Sequence, residues 1–228
     1  VPVLTFLGFP PTVAASNSLF AALSNAIAST VSYSKQKRIE FSLGLKLGLL
    51  SVPGTVLGAV ISTDAAPEIF KILFGFVLIA SAAYIFLRRK IESKEKTLSK
   101  QMMIFAVGAS FFAGIISSFF GIGGGIIFVP LMVVGMGMAM KRAAPTSQLI
   151  LLFASLSGVI VHSLLGHPDF LQAGFLAIGS FIGGLVGARL SIDIKERYLQ
   201  ILVSVVILIA AGKLFFDSMF DNFNFFGF

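Results

Sequence analysis

Phe120-Gly121-Ile122-Gly123-Gly124-Gly125-Ile126-Ile127-Phe128-Val129-Pro130 lies inside an apolar tract that runs from residue 102 to residue 140. Four glycines in five residues leave the backbone bare and favour dihedrals outside the helix, and Pro130 removes a donor and clashes one turn back. The tract is therefore expected to be a broken element, two helical arms joined by an irregular glycine turn. Such backbone is tolerated at membrane depth only when it is buried in protein or lines a wet cavity.

The rest of the chain agrees with a membrane setting. Of 228 residues, 57% are apolar and 12% charged, against about a quarter charged in soluble domains. Apolar stretches of about 20 residues match a hydrocarbon core about 30 Å thick. They fall at 14–33, 41–61, 68–87, 143–163, 170–190 and 198–216. The expected class is an all-α integral membrane protein, multi-pass and in contact with the lipid bilayer.

Basic residues set the orientation. Lys35, Lys37 and Arg38 follow the first span, Arg88 to Lys100 contains six more, Lys141 and Arg142 precede the fourth span, and Arg189, Lys195 and Arg197 separate the last two. Loops 62–67 and 164–169 have no Lys or Arg. With the basic loops cytoplasmic, every span alternates provided that 102–140 enters and leaves on one side, as a re-entrant or complete hairpin. The C-terminus then faces outward. The net charge of +7 thus belongs to topology and anionic lipid rather than to nucleic acid.

Sliding the chain on itself by 129 residues pairs Ala14-Ala15-Ser16-Asn17-Ser18 with Ala143-Ala144-Pro145-Thr146-Ser147. The same register pairs Ser51 with Ser180, Gly54 with Gly183, Gly58-Ala59 with Gly187-Ala188 and Asp64 with Asp193; 17 of the 70 residues from 14 to 83 are identical to their partners. Basic loop 34–40 corresponds to Lys/Arg-free loop 163–169, and Lys/Arg-free loop 62–67 to basic loop 191–196. Equivalent loops on opposite faces make the halves inverted-topology repeats, a common transporter plan. Residues 1–88 form the first repeat, 89–101 a basic linker, 102–216 the second repeat, and 217–228 a Phe-rich interfacial tail that could also serve a homodimer contact. Val1-Pro2 matches Val129-Pro130, so the first repeat's own glycine-broken segment is missing from this chain; about 30 upstream residues are expected.

The run from Phe120 through Gly121–Gly125 to Val129-Pro130-Leu131, followed by Ala143-Ala144-Pro145-Thr146-Ser147, resembles the signature of the sulfite exporter TauE/SafE family, also called the toluene sulfonate uptake permeases. Val1-Pro2-Val3-Leu4 with Ala14-Ala15-Ser16-Asn17-Ser18 resembles the same motif in a first repeat, with Asn17 where Thr is usual. The resemblance implies a prokaryotic inner-membrane carrier of small sulfur-containing or carboxylic anions, such as sulfite, sulfoacetate or other organosulfonates.

Candidate substrate-binding residues follow from chemistry. A glycine turn that opens a helix presents N–H groups to an anion, which nominates Gly121, Gly123, Gly124 and Gly125 with Pro130 behind them, and Pro2 as the counterpart of Pro130. Asn17, Ser18, Thr146, Ser147 and Gln148 sit one turn inside equivalent spans, where uncharged donors can replace an anion's water without a fixed counter-charge. Each also has a bland reading: close helix crossing for the glycines, capping or interhelical bonding for the polar side chains. Lys46 is read as snorkelling, and His162 and His167 as exposed loop histidines. No cofactor or metal site is expected, since the chain has no Cys and two His. Neither nucleotide fingerprint fits, because Ile126 stands where a glycine is needed. No Ser-His-acid set or carboxylate pair converges in the spans, which disfavours an enzyme. The alternative to a carrier working by alternating access is an anion channel of the same architecture.

Overall fold

The computed structural model describes residue 4 and residues 7–63, 100–123 and 125–191. The expected spans 68–87 and 198–216, the linker 89–99, the tail 217–228, Pro2 and Gly124 lie outside the described residues. Among the described residues, six helices follow one another: α1 (Pro11–Lys35), α2 (Phe41–Thr63), α3 (Lys100–Phe120), α4 (Gly125–Pro130), α5 (Met140–Leu164) and α6 (Phe170–Leu190). A π-helical turn, Leu131–Gly135, continues α4. No strand occurs among the described residues. α2, α5 and α6 are long and apolar enough to cross a membrane.

Local chemistry explains the boundaries. Pro11 opens α1, where the missing N–H costs nothing, and Pro10 before it is extended. Asp169 caps α6, its carboxylate accepting the N–H groups of Leu171 at 3.1 Å and Gln172 at 3.2 Å. α3 stops at Phe120 because Gly121 takes the left-handed conformation, φ 65°. The Ile122 N–H then turns back to the Ser117 carbonyl at 3.1 Å, the six-to-one bond of a Schellman cap. Gly123 is also left-handed, φ 75°, and α4 starts two residues later.

The helices pair across sequence. α1 lies along α6 in parallel, through Asn17 with Gln172, Asn25 with Gly184 and Gln36 with Ala188. α2 lies along α5 in parallel, Gly44 against Leu149, Gly48 against Phe153 and the Thr55 hydroxyl against that of Ser157. α1 and α5 are antiparallel: Asn25 meets Gln148, and Arg38 beyond the end of α1 meets Lys141 at the start of α5. α3 crosses α2 so closely that a Cβ on Gly54, Gly58 or Gly114 would collide with the carbonyl oxygens of Phe111, Ile115 and Ser51 respectively. Small residues that admit backbone contact are the usual means of holding helices in lipid, where apolar burial drives little association.

α3 runs parallel to α2 and α5, so the segment between α3 and α5 must return to the end from which α3 set out. The return limb is α4 with its π turn, whose Phe128 and Met132 are fully buried against Leu43, Leu47, Ala143 and Ile150. α6 turns Phe170, Leu171, Phe175, Ile178 and Ile182 outward, each more than half exposed, as a lipid-facing surface requires.

Candidate functional site

The glycine turn is wedged between the antiparallel helices α1 and α5. Gly121 sits on the backbone of Ala15, so close that a Cβ would strike the Ala15 carbonyl. Gly123 sits on Ala22 of α1 and Leu151 of α5, near the middle of both helices. The N–H of Gly125 bonds to the Gly123 carbonyl at 2.9 Å, closing the turn. Gly121 and Gly123 are buried and Gly125 is half-buried. Pro130 ends α4.

One helical turn from Gly123 along the same faces, Asn25 of α1 donates through Nδ2 to Oε1 of Gln148 on α5 at 3.3 Å. The Asn25 oxygen in turn accepts from Ser29 at 3.4 Å and leaves no room for a side chain at Gly184 of α6. This carboxamide pair brings α1, α5 and α6 together. Of the pair, Gln148 is among the expected site residues and Asn25 is not; the signal for Asn25 is a strong hydrogen-bonding amide alone in an apolar span.

Asn17 and Thr146 do something different. Oδ1 of the buried Asn17 accepts the Asp169 N–H at 3.1 Å, and its amide donates to Gln172 at 3.4 Å. Oγ1 of the buried Thr146 accepts the Glu40 N–H at 3.0 Å while donating to the Arg142 carbonyl at 2.8 Å. Each receives the backbone N–H just before the helix packed beside it. The register that joins Asn25 to Gln148 separates Asn17 from Thr146 by about 15 Å along the bundle. Ser147 donates to the Ala144 carbonyl at 2.7 Å, and Ser18 is half-buried on α1. The nominated polar residues thus divide between the two ends, with Gln148 nearest the middle.

A residue outside the nominated set stands beside the turn. The Ser117 hydroxyl, in the last turn of α3, is fully buried and without a hydrogen-bond partner. A buried hydroxyl in that state costs roughly 1–3 kcal/mol. The Thr30 hydroxyl on α1 is likewise unpartnered. Lys46 is exposed on α2, consistent with a stem along the lipid surface.

The histidines depart from the expectation of exposed loop residues. His162 is inside α5 and fully buried, and its Nδ1 lies 2.8 Å from Nδ1 of His167. A left-handed Gly166, φ 74°, folds the connection back over the helix end, which spacing alone does not reveal. Among the described residues no group of three or more His, Asp or Glu could hold a metal ion.

Apolar helices joined by backbone-close crossings, with polar groups turned inward, define an integral membrane protein. The chain belongs to the sulfite exporter TauE/SafE family, whose model matches residues 1–214. It is similar to the probable membrane transporter protein YunE of Bacillus subtilis (strain 168), 26% identical over 97% of this chain and 90% of that protein. The probable membrane transporter protein MJ0441 of Methanocaldococcus jannaschii is 27% identical over 90% of this chain and 82% of its own length. The probable membrane transporter protein YfcA of Escherichia coli (strain K12) is 20% identical over 96% and 81%. No solved structure matches the chain.

Proposed function

We propose that this membrane transporter carries small sulfur-containing or organic anions, such as sulfite, sulfoacetate or other organosulfonates, across an inner membrane by alternating access. The anion head group is held at the glycine turn by backbone amides and by uncharged hydroxyl and carboxamide donors. The observation that carries the reading is the orphaned, buried Ser117 hydroxyl beside a turn whose Gly121 and Gly123 are both left-handed and wedged between antiparallel helices. An unmet donor in a dry interior is a standing cost to the fold, which an anion's oxygen would relieve. The name of the family model, sulfite exporter, supports the substrate class.

The halves are inverted repeats, with the basic loops cytoplasmic and the segment 102–140 a hairpin broken at its glycines. Asn17 with Asp169 and Thr146 with Glu40 support this: both members of one pair are 129 positions from the members of the other. Rocking of one helix group against another around the turn would expose it to each side in turn.

Uptake into proteoliposomes of sulfite, thiosulfate, sulfoacetate, taurine and acetate, with and without a pH gradient, tests the reading. Saturating uptake of a sulfur oxyanion, with exchange against the same anion inside, is the expected result. Flux that does not saturate and shows no exchange would assign a channel, and absence of flux for every anion would overturn the reading.

A further inference from the structure

Where α5 ends, two imidazoles form a chain of hydrogen bonds that neither the fold nor the carrier reading uses. Nδ1 of His162 lies 2.8 Å from Nδ1 of His167, and the rings are tilted by 60° with centroids 5.0 Å apart. The backbone N–H of His167 also bonds to the His162 carbonyl at 3.1 Å. On its other side, His162 Nε2 is 3.3 Å from the Ser118 carbonyl oxygen and 3.5 Å from the Ser118 hydroxyl.

These contacts assign the protons. A carbonyl oxygen only accepts, so Nε2 of His162 carries a hydrogen. In the neutral ring its Nδ1 is then a bare acceptor, and the hydrogen in the 2.8 Å contact belongs to His167. The bonds therefore run from His167 Nδ1–H to His162, and from His162 Nε2–H to Ser118, three residues before Gly121. Nε2 of His167 is left as the open proton acceptor.

Burial disfavours a charge on this ring. Among the described residues, the charged side chains of α1, α2, α5 and α6 are Lys35, Lys46, Lys141, Arg142 and Arg189, all toward the other end of the bundle. Asp169, two residues from His167, has a carboxylate oxygen committed to the Leu171 and Gln172 N–H groups. Burial accordingly holds His167 below its ordinary value of 6.5.

We infer that the His162–His167 pair is a proton-binding site that latches the α5–α6 connection to the end of α3. The neutral pair fastens the connection; a proton taken from solution onto His167 Nε2 leaves its Nδ1–H donor in place but puts a charge on a ring where burial disfavours it, so the imidazolium is released into water. Only hydrogen bonds break, and the bound proton leaves with the freed imidazole. Because burial depresses the latched group, the latch is at full strength above pH 6.5 and weakens as pH falls below it. The latch's effect on anion flux rests on the carrier reading; the latch itself does not.

The chain has no cysteine, so a nitroxide attached through Leu165→Cys, at a position 41% exposed, reports this connection alone. Its mobility in the full chain in liposomes, followed by paramagnetic resonance from pH 8 to 5, is expected to rise with a midpoint below 6.5. In His167→Gln, whose amide still donates but does not titrate, mobility should stay flat, with His167→Asn as the second variant should Gln impair folding. A flat profile in the parent, or an equal rise in the untitratable variants, would overturn the latch. The readout needs no substrate, so a failure of anion uptake overturns the carrier reading separately.

Discussion

The Asn17 side-chain oxygen accepts the backbone N–H of Asp169 at 3.1 Å, tying the second turn of α1 to the residue that opens α6. At the other end of the bundle Thr146 does the same for Glu40, before α2, at 3.0 Å. Both acceptors are fully buried. These polar groups hold the first helix of one half against the second helix of the other.

Removing either acceptor leaves a backbone N–H unmet, at a cost of roughly 1–3 kcal/mol. Asn17→Ala and Thr146→Val should each lower the melting temperature in detergent. The double variant should show additive losses, within about 0.5 kcal/mol, because the sites are more than about 10 Å apart and share no partner. Strong non-additivity would mean that the two ends are coupled.

The Arg142–Glu40 ion pair beside Thr146 makes a contrast. Its charged atoms are 2.8 Å apart, but the side chains are 51% and 37% exposed. Exposed pairs contribute about 0–1 kcal/mol. Glu40→Gln should therefore leave the melting temperature nearly unchanged, since the backbone N–H bond to Thr146 survives. A loss as large as that of Thr146→Val would show that the charge, not the hydroxyl, holds this junction.

Gly54 and Gly183 occupy equivalent places in the 129-residue register but meet different surroundings. A Cβ at Gly54 would collide with the Phe111 carbonyl, whereas among the described residues nothing lies within 4 Å of a Cβ at Gly183. Gly54→Ala should destabilise by roughly 1–3 kcal/mol, as overpacking does. Gly183→Ala should be neutral or slightly stabilising, as alanine is the better helix former. Thermal unfolding of the two purified variants checks both.

Ser117→Ala deletes a hydroxyl that has no partner. Apolar replacement of an unmet polar group is neutral to stabilising, so the melting temperature should hold or rise. Loss of a donor to the anion should nevertheless raise KM for uptake by about tenfold, the equivalent of one charge-assisted hydrogen bond. Unchanged KM would remove Ser117 from the site.

Much of the architecture was legible because it rests on local chemistry. The apolar runs at 41–61, 143–163 and 170–190 correspond to α2, α5 and α6 within three residues at each end, and Gly121 marks the stop of α3. The internal register further pointed to Asn17 and Thr146 as a pair. What could not be read was where their side chains would turn, because the neighbouring helix start that each one meets is fixed by tertiary packing. Asn25 escaped notice for the same reason, as its partner Gln148 is 123 residues away. His162 and His167 looked like loop residues until the left-handed Gly166 folded one over the other.

The central claim is that the two halves point oppositely through the membrane, and labelling single cysteines in sealed vesicles tests it most directly. Lys35→Cys at the end of α1 and Leu165→Cys after the end of α5 are equivalent within one residue in the repeat register, and both positions are exposed. An impermeant thiol reagent added from one side should modify one position and reach the other only after the vesicles are opened. Modification of both from the same side would contradict the account.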